Sequence, residues 1–328
     1  MRALVMTAPG GSENSLVREV EEPAPGPGQV SVEVAYAGLN FVDVMARRGD
    51  AGYVTAWPYL PGKEVSGTVR ALGAGVTGLA VGDQVVAAPA GGGLAEVVVA
   101  EAALTVPVPA GVALSRAAAV PLGLATAMLL LTESGRFAAG ETVLVHSAGG
   151  GIGRGIAELV PQLGGGRLIG TVGRPEKAAA AVEAGYDAAF ARDEKLAEAV
   201  REAAGGRGVD LVLDPLGTEA LELDLELLAP GGRVVLFGNA GGGEVTPLPP
   251  AARLLGGNLG ITGFSHRGLT VGAPEKVARA VARVLALLAE GRLDVPVTEL
   301  PGLSAAPAAH DLLAAGRGEG KYVVAVAG

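Results

Sequence analysis

The chain has 328 residues, with 25 Lys and Arg against 34 Asp and Glu and a formal net charge of −9. This length favours two domains, and the acidic balance disfavours nucleic acid as a partner. The absence of cysteine excludes disulfides, thiolate metal sites and a cysteine nucleophile.

Residues 1 to about 110 are predicted to be rich in β-strands. Short runs of alternating apolar and polar residues, such as QVSVEVAYAG and AEVVVAEAALTV, are separated by the turn-forming segments PAPGPG and GAGVTG. One helix is predicted within this region, over 41–47, and it ends before Gly49.

From residue 142 the pattern changes to apolar strands that alternate with helices. The predicted strands are TVLVH, RLIGTV, AAF, VDLVLD, GRVVLFG and LGITG. Predicted helices include PEKAAAAVEAG and the segments 194–204 and 219–228. This alternation predicts a parallel sheet covered on both faces. Pro161 is expected to end or kink the first helix early.

The C-terminal residues are predicted to form the long helix PEKVARAVARVLALLAEGRL, a strand at VPVTEL, a helix over 305–315 and a closing strand KYVVAV. They either form a separate module or, more economically, complete the first domain. The longest uncharged apolar run, 117–132, is too short to span a bilayer, and the N-terminus lacks a signal-peptide core. We therefore predict a cytoplasmic protein without membrane contacts.

The stretch VLVHSAGGGIG places a strand directly before a glycine-rich loop. Ala148, Gly150 and Gly153 have the spacing of the dinucleotide fingerprint G-x-G-x-x-G, with alanine at its first position. The free N–H groups and the dipole of the helix that follows would bind a pyrophosphate if no side chain blocked its approach. Gly150 would allow that approach, Gly153 would let the helix pack on the strand, and Gly151 and Ile152 complete the loop. A flexible glycine-rich turn is the alternative.

The chain lacks the acidic residue that an NAD site carries about 20 residues after the loop for the ribose 2′-hydroxyl. Gly173 and Arg174 stand there, Lys177 lies one turn further on, and Arg192 ends the next strand. Cations hold a 2′-phosphate that an aspartate would repel, so we predict NADP(H) as the cofactor. Alternatively, these cations are ordinary solvated surface residues.

Seven stretches spread over nearly the whole chain carry a family resemblance: AGLNFVDVMARRG, YLPGKEVSGTV, GVTGLAVGDQVV, VPLGLATA, ETVLVHSAGGGIG, GGRVVLFG and GKYVV. Together they resemble the zinc-free quinone oxidoreductase (zeta-crystallin-like) branch of the medium-chain dehydrogenase/reductase superfamily. The resemblance implies an α/β protein with a GroES-like β-rich catalytic domain over 1–121, completed by 265–328. A Rossmann NADP-binding domain with a doubly wound parallel sheet would occupy 122–264, and the active site would lie in the cleft between the domains.

Zinc-dependent relatives have a cysteine at the position of Asn40 and a histidine at that of Lys63. Because both ligands are replaced, we predict no metal site. Without a Lewis acid the oxidation of an alcohol is disfavoured. The reaction implied is transfer of a hydride from NADPH to a quinone or to the activated C=C bond of an enone or enal. The alternatives are an enoyl reductase of polyketide or acyl metabolism and a non-catalytic NADPH-binding partner protein.

The resemblance implies two catalytic residues. Asn40 would donate a hydrogen bond to the carbonyl oxygen of the acceptor, or would only cap the helix that follows it. Tyr53 would hydrogen-bond the substrate or donate a proton, or would be an aromatic lid residue. Asp43 is expected to be structural, since a carboxylate opposes a developing enolate. Lys63 is expected to extend into solvent, and the alternative is that it reaches the position of the zinc in the zinc-dependent relatives.

Further cofactor contacts are implied for Thr126, Phe237, Gly238, Phe264 and Ser265. The Thr126 hydroxyl would otherwise bond the backbone carbonyl four residues earlier.

The remaining candidates are the histidines and one arginine. His266 and Arg267 would line the cleft or face solvent. His146 is expected to be a buried, hydrogen-bonded structural residue, and His310 to lie on a surface helix without a role. The family also implies a homodimer through the edge strand NLGIT, which would otherwise expose an apolar edge.

Overall fold

The structure is a computed structural model that describes residues 1–240, 242, 245 and 247–326. In these residues the strands β1 to β15 run, in chain order, over Arg2–Met6, Ser15–Glu19, Gln29–Gly38, Val65–Leu72, Gln84–Ala87, Val97–Glu101, Thr105–Pro107, Thr142–His146, Arg167–Val172, Ala188–Ala191, Val209–Asp214, Leu228–Leu236, Gly260–Gly263, Val297–Pro301 and Lys321–Ala325. The α-helices α1 to α11 run over Phe41–Arg48, Leu114–Ala117, Ala125–Leu129, Gly151–Gln162, Ala178–Glu183, Leu196–Ala203, Leu221–Leu227, Ala251–Gly257, His266–Gly272, Pro274–Ala289 and Ala306–Ala314.

The chain divides into two compact units. The first unit consists of Met1–Ala125 and Leu269–Gly328, and the second of Thr126–Gly268. The domain boundaries drawn from the sequence, 121/122 and 264/265, lie four residues before these divisions. The C-terminal tail returns to the first unit, because β15 pairs antiparallel with β3 and places Val324 opposite Ala37.

The first unit is built on a sheet in the order β14-β15-β3-β4-β5-β7, with β6 also paired to β3 and a separate β1-β2 hairpin. Its core consists of fully buried aliphatic side chains from these strands, such as Val30, Val32 and Val65. The helix predicted over 41–47 is confirmed as α1. It ends at Gly49, whose φ of 78° lies in the left-handed region that glycine adopts without strain.

The second unit holds a parallel sheet in the order β10-β9-β8-β11-β12-β13. All six predicted strands are confirmed. This is the Rossmann order, in which the chain reverses its direction of winding between β8 and β11. Helix α4 contains Pro161 and ends one residue later, at Gln162, in agreement with the expected early end. Helix α8 was not predicted from the sequence.

The uncharged apolar run 117–132 is part of a longer helical stretch. Leu114–Ser134 is a 21-residue stretch with a mean hydropathy of 1.7, and it includes two π-helical turns. By length and composition this longer stretch, which includes the charged Arg116 and Glu133, could cross a membrane, whereas the uncharged run alone stays short. However, 78% of its apolar window is buried inside the protein, as in a core helix.

The expectation that His310 lies on the surface is also wrong. Its side chain on α11 is 0% exposed, and α11 packs against α1. Both ring nitrogens are without a hydrogen-bond partner among the described residues. Burial lowers the pKa of His310 below its ordinary value, and this effect is opposed by Asp43 and Asp311 and reinforced by Arg47. The ring is therefore held neutral inside the unit.

The protein is expected to lose stability in mild acid through His310. The unfolded chain takes up a proton near pH 6.5 that the folded histidine resists, so the free energy of unfolding falls as pH drops below that value. His310→Leu removes the proton acceptor, and its unfolding free energy at pH 5 should exceed that of the wild type by about 1 kcal/mol or more. Urea unfolding at pH 5 and pH 8 measures the free energy of unfolding of the wild type and of His310→Leu. If the free energies of unfolding of the two proteins differ by the same amount at pH 5 and pH 8, His310 is not the group that lowers stability in acid.

Candidate active site

The glycine-rich loop lies between β8 and α4, at the carboxyl edge of the parallel sheet. The chain turns at Ser147, whose φ is 59°, and the N–H of Gly150 donates to the Ser147 carbonyl at 2.9 Å. Gly150 is the N-cap of α4. The N–H groups of the first turn of α4 have no carbonyl within the helix to bond, and they form the anion-binding end of the helix.

Two glycines of the loop have different steric surroundings. A Cβ on Gly153 would lie 2.5 Å from the Ala148 carbonyl oxygen, so this glycine is required by packing inside the loop. A Cβ on Gly150 would meet only the Ser147 carbonyl oxygen, at 3.2 Å, and would otherwise enter open space. Helix packing for Gly153 and ligand approach for Gly150 stay predictions, and the contact observed at Gly153 is with Ala148 of the loop itself. The loop is supported from below by buried Tyr186, whose hydroxyl donates to the Gly153 carbonyl at 2.7 Å.

The cations that were predicted to bind the 2′-phosphate lie around the end of β9. A Cβ on Gly173 would lie 2.9 Å from Arg192 Nη2, so the Arg192 guanidinium lies directly over this glycine. Arg174 comes next in the chain and is half-exposed, with its Nη1 4.0 Å from Glu176 Oε1. Lys177 follows in a 3-10 turn that begins after Arg174. The fold thus brings Arg174 and Arg192 to the same strand end, although 18 residues separate them.

Thr126 carries a buried hydroxyl without a hydrogen-bond partner among the described residues. The side chain is 3% exposed. The backward hydrogen bond considered from the sequence is not formed, whereas Thr132, in the same helical stretch, does donate to the Met128 carbonyl at 2.8 Å. An unpaired buried hydroxyl is costly, and a ligand group would supply the partner.

The residues predicted at the ends of β12 and β13 lie beside each other. The N–H of Phe237 donates to the Asp214 carbonyl and that of Phe264 to the Leu236 carbonyl, both at 2.9 Å. Gly238 is required by packing, because a Cβ would lie 2.7 Å from the Pro215 carbonyl oxygen. Ser265 Oγ accepts a hydrogen bond from the Gly268 N–H at 3.0 Å. His266 is half-buried and Arg267 is exposed at the start of α9.

A fully buried polar cluster lies beneath the glycine-rich loop, and sequence analysis identified only its histidine. His146 Nδ1 lies 2.7 Å from Thr171 Oγ1, and Nε2 lies 2.7 Å from Asp224 Oδ1. Asp214 completes the cluster, and ligand atoms of the three acidic and imidazole side chains lie within 4.8 Å of one another. His146 is therefore the buried, hydrogen-bonded residue that the sequence predicted. Its position at a strand end was the only local signal for the cluster.

The cluster has the composition of a metal site, but its geometry is that of a hydrogen-bonded network. Asp214 Oδ2 and Asp224 Oδ2 are each without a partner among the described residues. Burial and the neighbouring Asp224 carboxylate raise the pKa of Asp214 to about 7. A proton on Asp214 would remove the repulsion between the two buried carboxylates.

In the first unit, Asn40 precedes α1 and its side chain is already hydrogen-bonded. Asn40 Nδ2 donates to Glu64 Oε1 at 2.8 Å and to the Gly38 carbonyl at 3.3 Å. Asn40 Oδ1 accepts from Lys321 Nζ at 2.8 Å. Glu64 and Lys321 were not recognised as site residues from the sequence. They are 257 residues apart, and only the pairing of β15 with β3 brings them together.

Asp43 has the structural role that was expected. It is buried, Oδ2 accepts from the Asn40 N–H at 2.9 Å, and Oδ1 accepts from the Gly62 N–H at 3.1 Å. Lys63 Nζ donates to the Ala90 carbonyl at 2.5 Å. Tyr53 is half-buried; desolvation, together with the charge of Asp50, raises the pKa of its phenol above the ordinary value of 10.0, while Arg48 opposes the shift. The phenol therefore keeps its proton at neutral pH and remains a hydrogen-bond donor.

Two protein-family models match the chain. Residues 26–110 match the alcohol dehydrogenase GroES-like domain, and residues 151–286 match the zinc-binding dehydrogenase family. A quinone oxidoreductase of Pseudomonas aeruginosa is 34% identical over 329 residues, which cover 98% of this chain and 99% of that protein.

A polyketide synthase protein, NorB of Streptomyces orinoci, is 36% identical over 98% of this chain. The chain spans only 14% of the length of that synthase. Among solved structures, the Escherichia coli quinone oxidoreductase complexed with NADPH has a TM-score of 0.90 and 30% identity, covering 99% of this chain and 100% of that one. The chain belongs to the zinc-free quinone oxidoreductase branch of the medium-chain dehydrogenase/reductase superfamily, as its sequence motifs predicted.

Proposed function

We propose that this protein is an NADPH-dependent oxidoreductase that reduces a quinone or the activated C=C bond of an α,β-unsaturated carbonyl compound. The observation that carries the proposal is the open backbone at Gly150, at the amino end of α4, where a Cβ would enter otherwise open space. Support also comes from the Escherichia coli and Pseudomonas aeruginosa quinone oxidoreductases, the first of which was solved with NADPH.

The residues of the second unit fit a pyridine nucleotide. The first turn of α4 would hold the pyrophosphate, and Arg174, Lys177 and Arg192 would hold the 2′-phosphate. The unpaired Thr126 hydroxyl would bond a polar group of the cofactor. Segments 237–238 and 264–265 would contact it through backbone at the ends of β12 and β13. When bound, NADPH supplies the hydride for the reduction.

The first unit would supply the hydrogen-bond donors for the acceptor. Asn40 would donate to its carbonyl oxygen, where negative charge collects as the hydride arrives, and preorganised donors at such an oxygen lower the barrier. Tyr53, protonated at neutral pH, would donate a second hydrogen bond or a proton. Zinc independence is part of the proposal. It is supported by the amide of Asn40 and the ammonium of Lys63, neither of which binds zinc as a thiolate or an imidazole does.

Following NADPH absorbance with benzoquinone, an enal and an enoyl thioester tests the proposal. Turnover of the quinone or the enal is expected. Clear preference for the thioester would favour the enoyl reductase, which the similarity to NorB supports. NADPH binding with no turnover would favour the non-catalytic alternative. Asn40→Ala should lower kcat and leave the Kd of NADPH nearly unchanged.

Arg174→Ala is expected to lower the ratio of kcat/KM for NADPH over NADH about tenfold, since a charge-assisted hydrogen bond is worth about 1.5–3 kcal/mol. Arg167→Ala is the matched control, because Arg167 is an exposed arginine at the opposite end of β9. Steady-state kinetics with both cofactors measures the ratio. An unchanged ratio would remove Arg174 from the cofactor site.

A homodimer through β13 is also predicted, and so is a cytoplasmic location. In the described chain β13 is the last strand of its sheet, and nearby Leu255 on α8 is 78% exposed. Light scattering should give twice the chain mass of 32.3 kDa, and Leu255→Glu should shift the mass towards the monomer. A monomeric wild type would contradict this interface.

A further inference from the structure

We infer that Glu64 and Lys321 are positioning residues that orient the Asn40 amide and leave one of its hydrogens for the acceptor oxygen. The inference rests on the proposed function, in which Asn40 is the donor. We refer to Glu64 and Lys321 as the amide clamp.

Glu64 is held rigidly on all sides. It is 0% exposed, and Oε2 accepts hydrogen bonds from the N–H groups of Leu122 at 2.8 Å and Gly123 at 3.0 Å. Oε1 accepts from Asn40 Nδ2 and forms an ion pair with Lys321. Neighbouring Gly38 makes room for this carboxylate, since a Cβ there would lie 2.4 Å from Oε1. The acceptor offered to Asn40 therefore has a fixed position.

Lys321 has no hydrogen left to donate elsewhere. Its ammonium donates to the Leu39 carbonyl at 2.9 Å and to Asn40 Oδ1 at 2.8 Å, and it pairs with Glu64. These three acceptors match the three N–H bonds of an ammonium group. The side chain is 9% exposed, so bulk water competes little for these bonds.

The amide clamp selects one of the two orientations of the Asn40 amide. With the ends exchanged, the NH2 group would face the ammonium of Lys321, and the carbonyl oxygen would face the carboxylate of Glu64. Both contacts would be repulsive, and Glu64 and Lys321 would each lose one hydrogen bond in a buried site, which is costly. The ammonium also polarises the amide through Oδ1, and this strengthens the N–H bonds as donors.

The selected orientation leaves one weakly bonded hydrogen. One Nδ2 hydrogen is taken by Glu64 at 2.8 Å, and the other meets the Gly38 carbonyl at the long distance of 3.3 Å. A hydrogen bond of that length is weak, and Asn40 is only half-buried. A substrate oxygen can therefore replace the Gly38 carbonyl without disturbing the amide clamp.

Kinetics of Lys321→Met tests the inference. We expect kcat to fall about tenfold or more, towards the loss seen when a single oxyanion donor is removed. The Kd of NADPH should change less than about twofold, and Lys321→Arg should restore part of kcat. Arg47→Met is the matched control, because it removes another buried cation of the same unit, paired with Asp311, without contacting Asn40. It should lower the melting temperature and keep kcat.

Several results would overturn the inference. One is a folded Lys321→Met protein with wild-type kcat, and another is an equal loss of kcat in Arg47→Met. If Lys321→Met does not fold, kcat is measured instead for the double variant Glu64→Gln/Lys321→Met, which removes both buried charges. The wild type gives an independent readout in its side-chain amide NMR signals, assigned by their loss in Asn40→Ala. One Asn40 hydrogen should exchange slowly and the other quickly, and equally fast exchange of both contradicts the amide clamp. A wild type without turnover defeats the proposed function itself, whereas turnover with unaffected variants defeats only this inference.

Discussion

Gly150→Ala is expected to raise the Kd of NADPH about tenfold to 100-fold while leaving the thermal stability of the protein nearly unchanged. The new methyl group would enter the open space above the first turn of α4 and would meet only the Ser147 carbonyl oxygen, at 3.2 Å. It would push the pyrophosphate away from the N–H groups of the helix. Each charge-assisted hydrogen bond lost there costs about 1.5–3 kcal/mol, and 1.4 kcal/mol corresponds to a factor of ten.

Two other glycines make this experiment specific. Gly153→Ala should lower both affinity and stability, because its methyl group would lie 2.5 Å from the Ala148 carbonyl oxygen. Gly256→Ala in α8 should change neither, since a Cβ there has no neighbour within 4 Å. Fluorescence titration with NADPH and thermal unfolding of the three variants give the comparison. A Gly150→Ala protein that binds NADPH like the wild type would show that the ligand does not approach this backbone.

Asp214→Asn is expected to increase the free energy of unfolding above pH 7 and to flatten its pH dependence. Burial and the Asp224 carboxylate raise the pKa of Asp214 to about 7 from its ordinary 3.8, and His146 only partly opposes this shift. Arg192 also faces the group. Between about pH 4 and 7 the folded protein holds a proton that the unfolded chain releases. The stabilisation is thus complete below pH 4 and is lost as pH rises through 7.

Asparagine imitates the protonated carboxyl group. Its oxygen can still accept from the Leu216 N–H, as Asp214 Oδ1 does at 2.6 Å, and its amide places no negative charge beside Asp224. We expect a gain on the order of 1–3 kcal/mol at pH 8, the cost of leaving a buried polar group unsatisfied. Urea unfolding between pH 4.5 and 8.5 measures it, with the exposed Glu183→Gln as the control. Identical pH profiles for Asp214→Asn and the wild type would refute the proton on Asp214.

The second unit could be predicted closely from the sequence because its signals are local. Apolar strands, the glycine loop and the stop at Pro161 each lie within a few residues of the structure that they specify. The functions proposed for Gly150 and Gly153 rest on the same logic, since their spacing sets which backbone stays bare.

The features that were missed depend on contacts between distant parts of the chain. The Asp214–Asp224 contact requires a helix to pack on the end of a strand, and the Glu64–Lys321 pair requires β15 to return to β3. His310 appeared solvent-exposed because a short helix with few large apolar residues gives little indication of which face is buried. His310 lies on α11 and is buried because α11 packs against α1, which lies near the other end of the sequence.

The return of β15 to β3 also has a consequence for synthesis on the ribosome. The residues of β3 that pair with β15, from Tyr36 to Gly38, emerge long before their partner, and Lys321 follows Leu39 by 282 positions. Until then the nascent first unit has an unfinished sheet edge and a Glu64 carboxylate without its counter-ion, while Thr126–Gly268 is contiguous and can fold as it appears. The second unit can therefore fold first, and the first unit completes its sheet only after β15 has emerged.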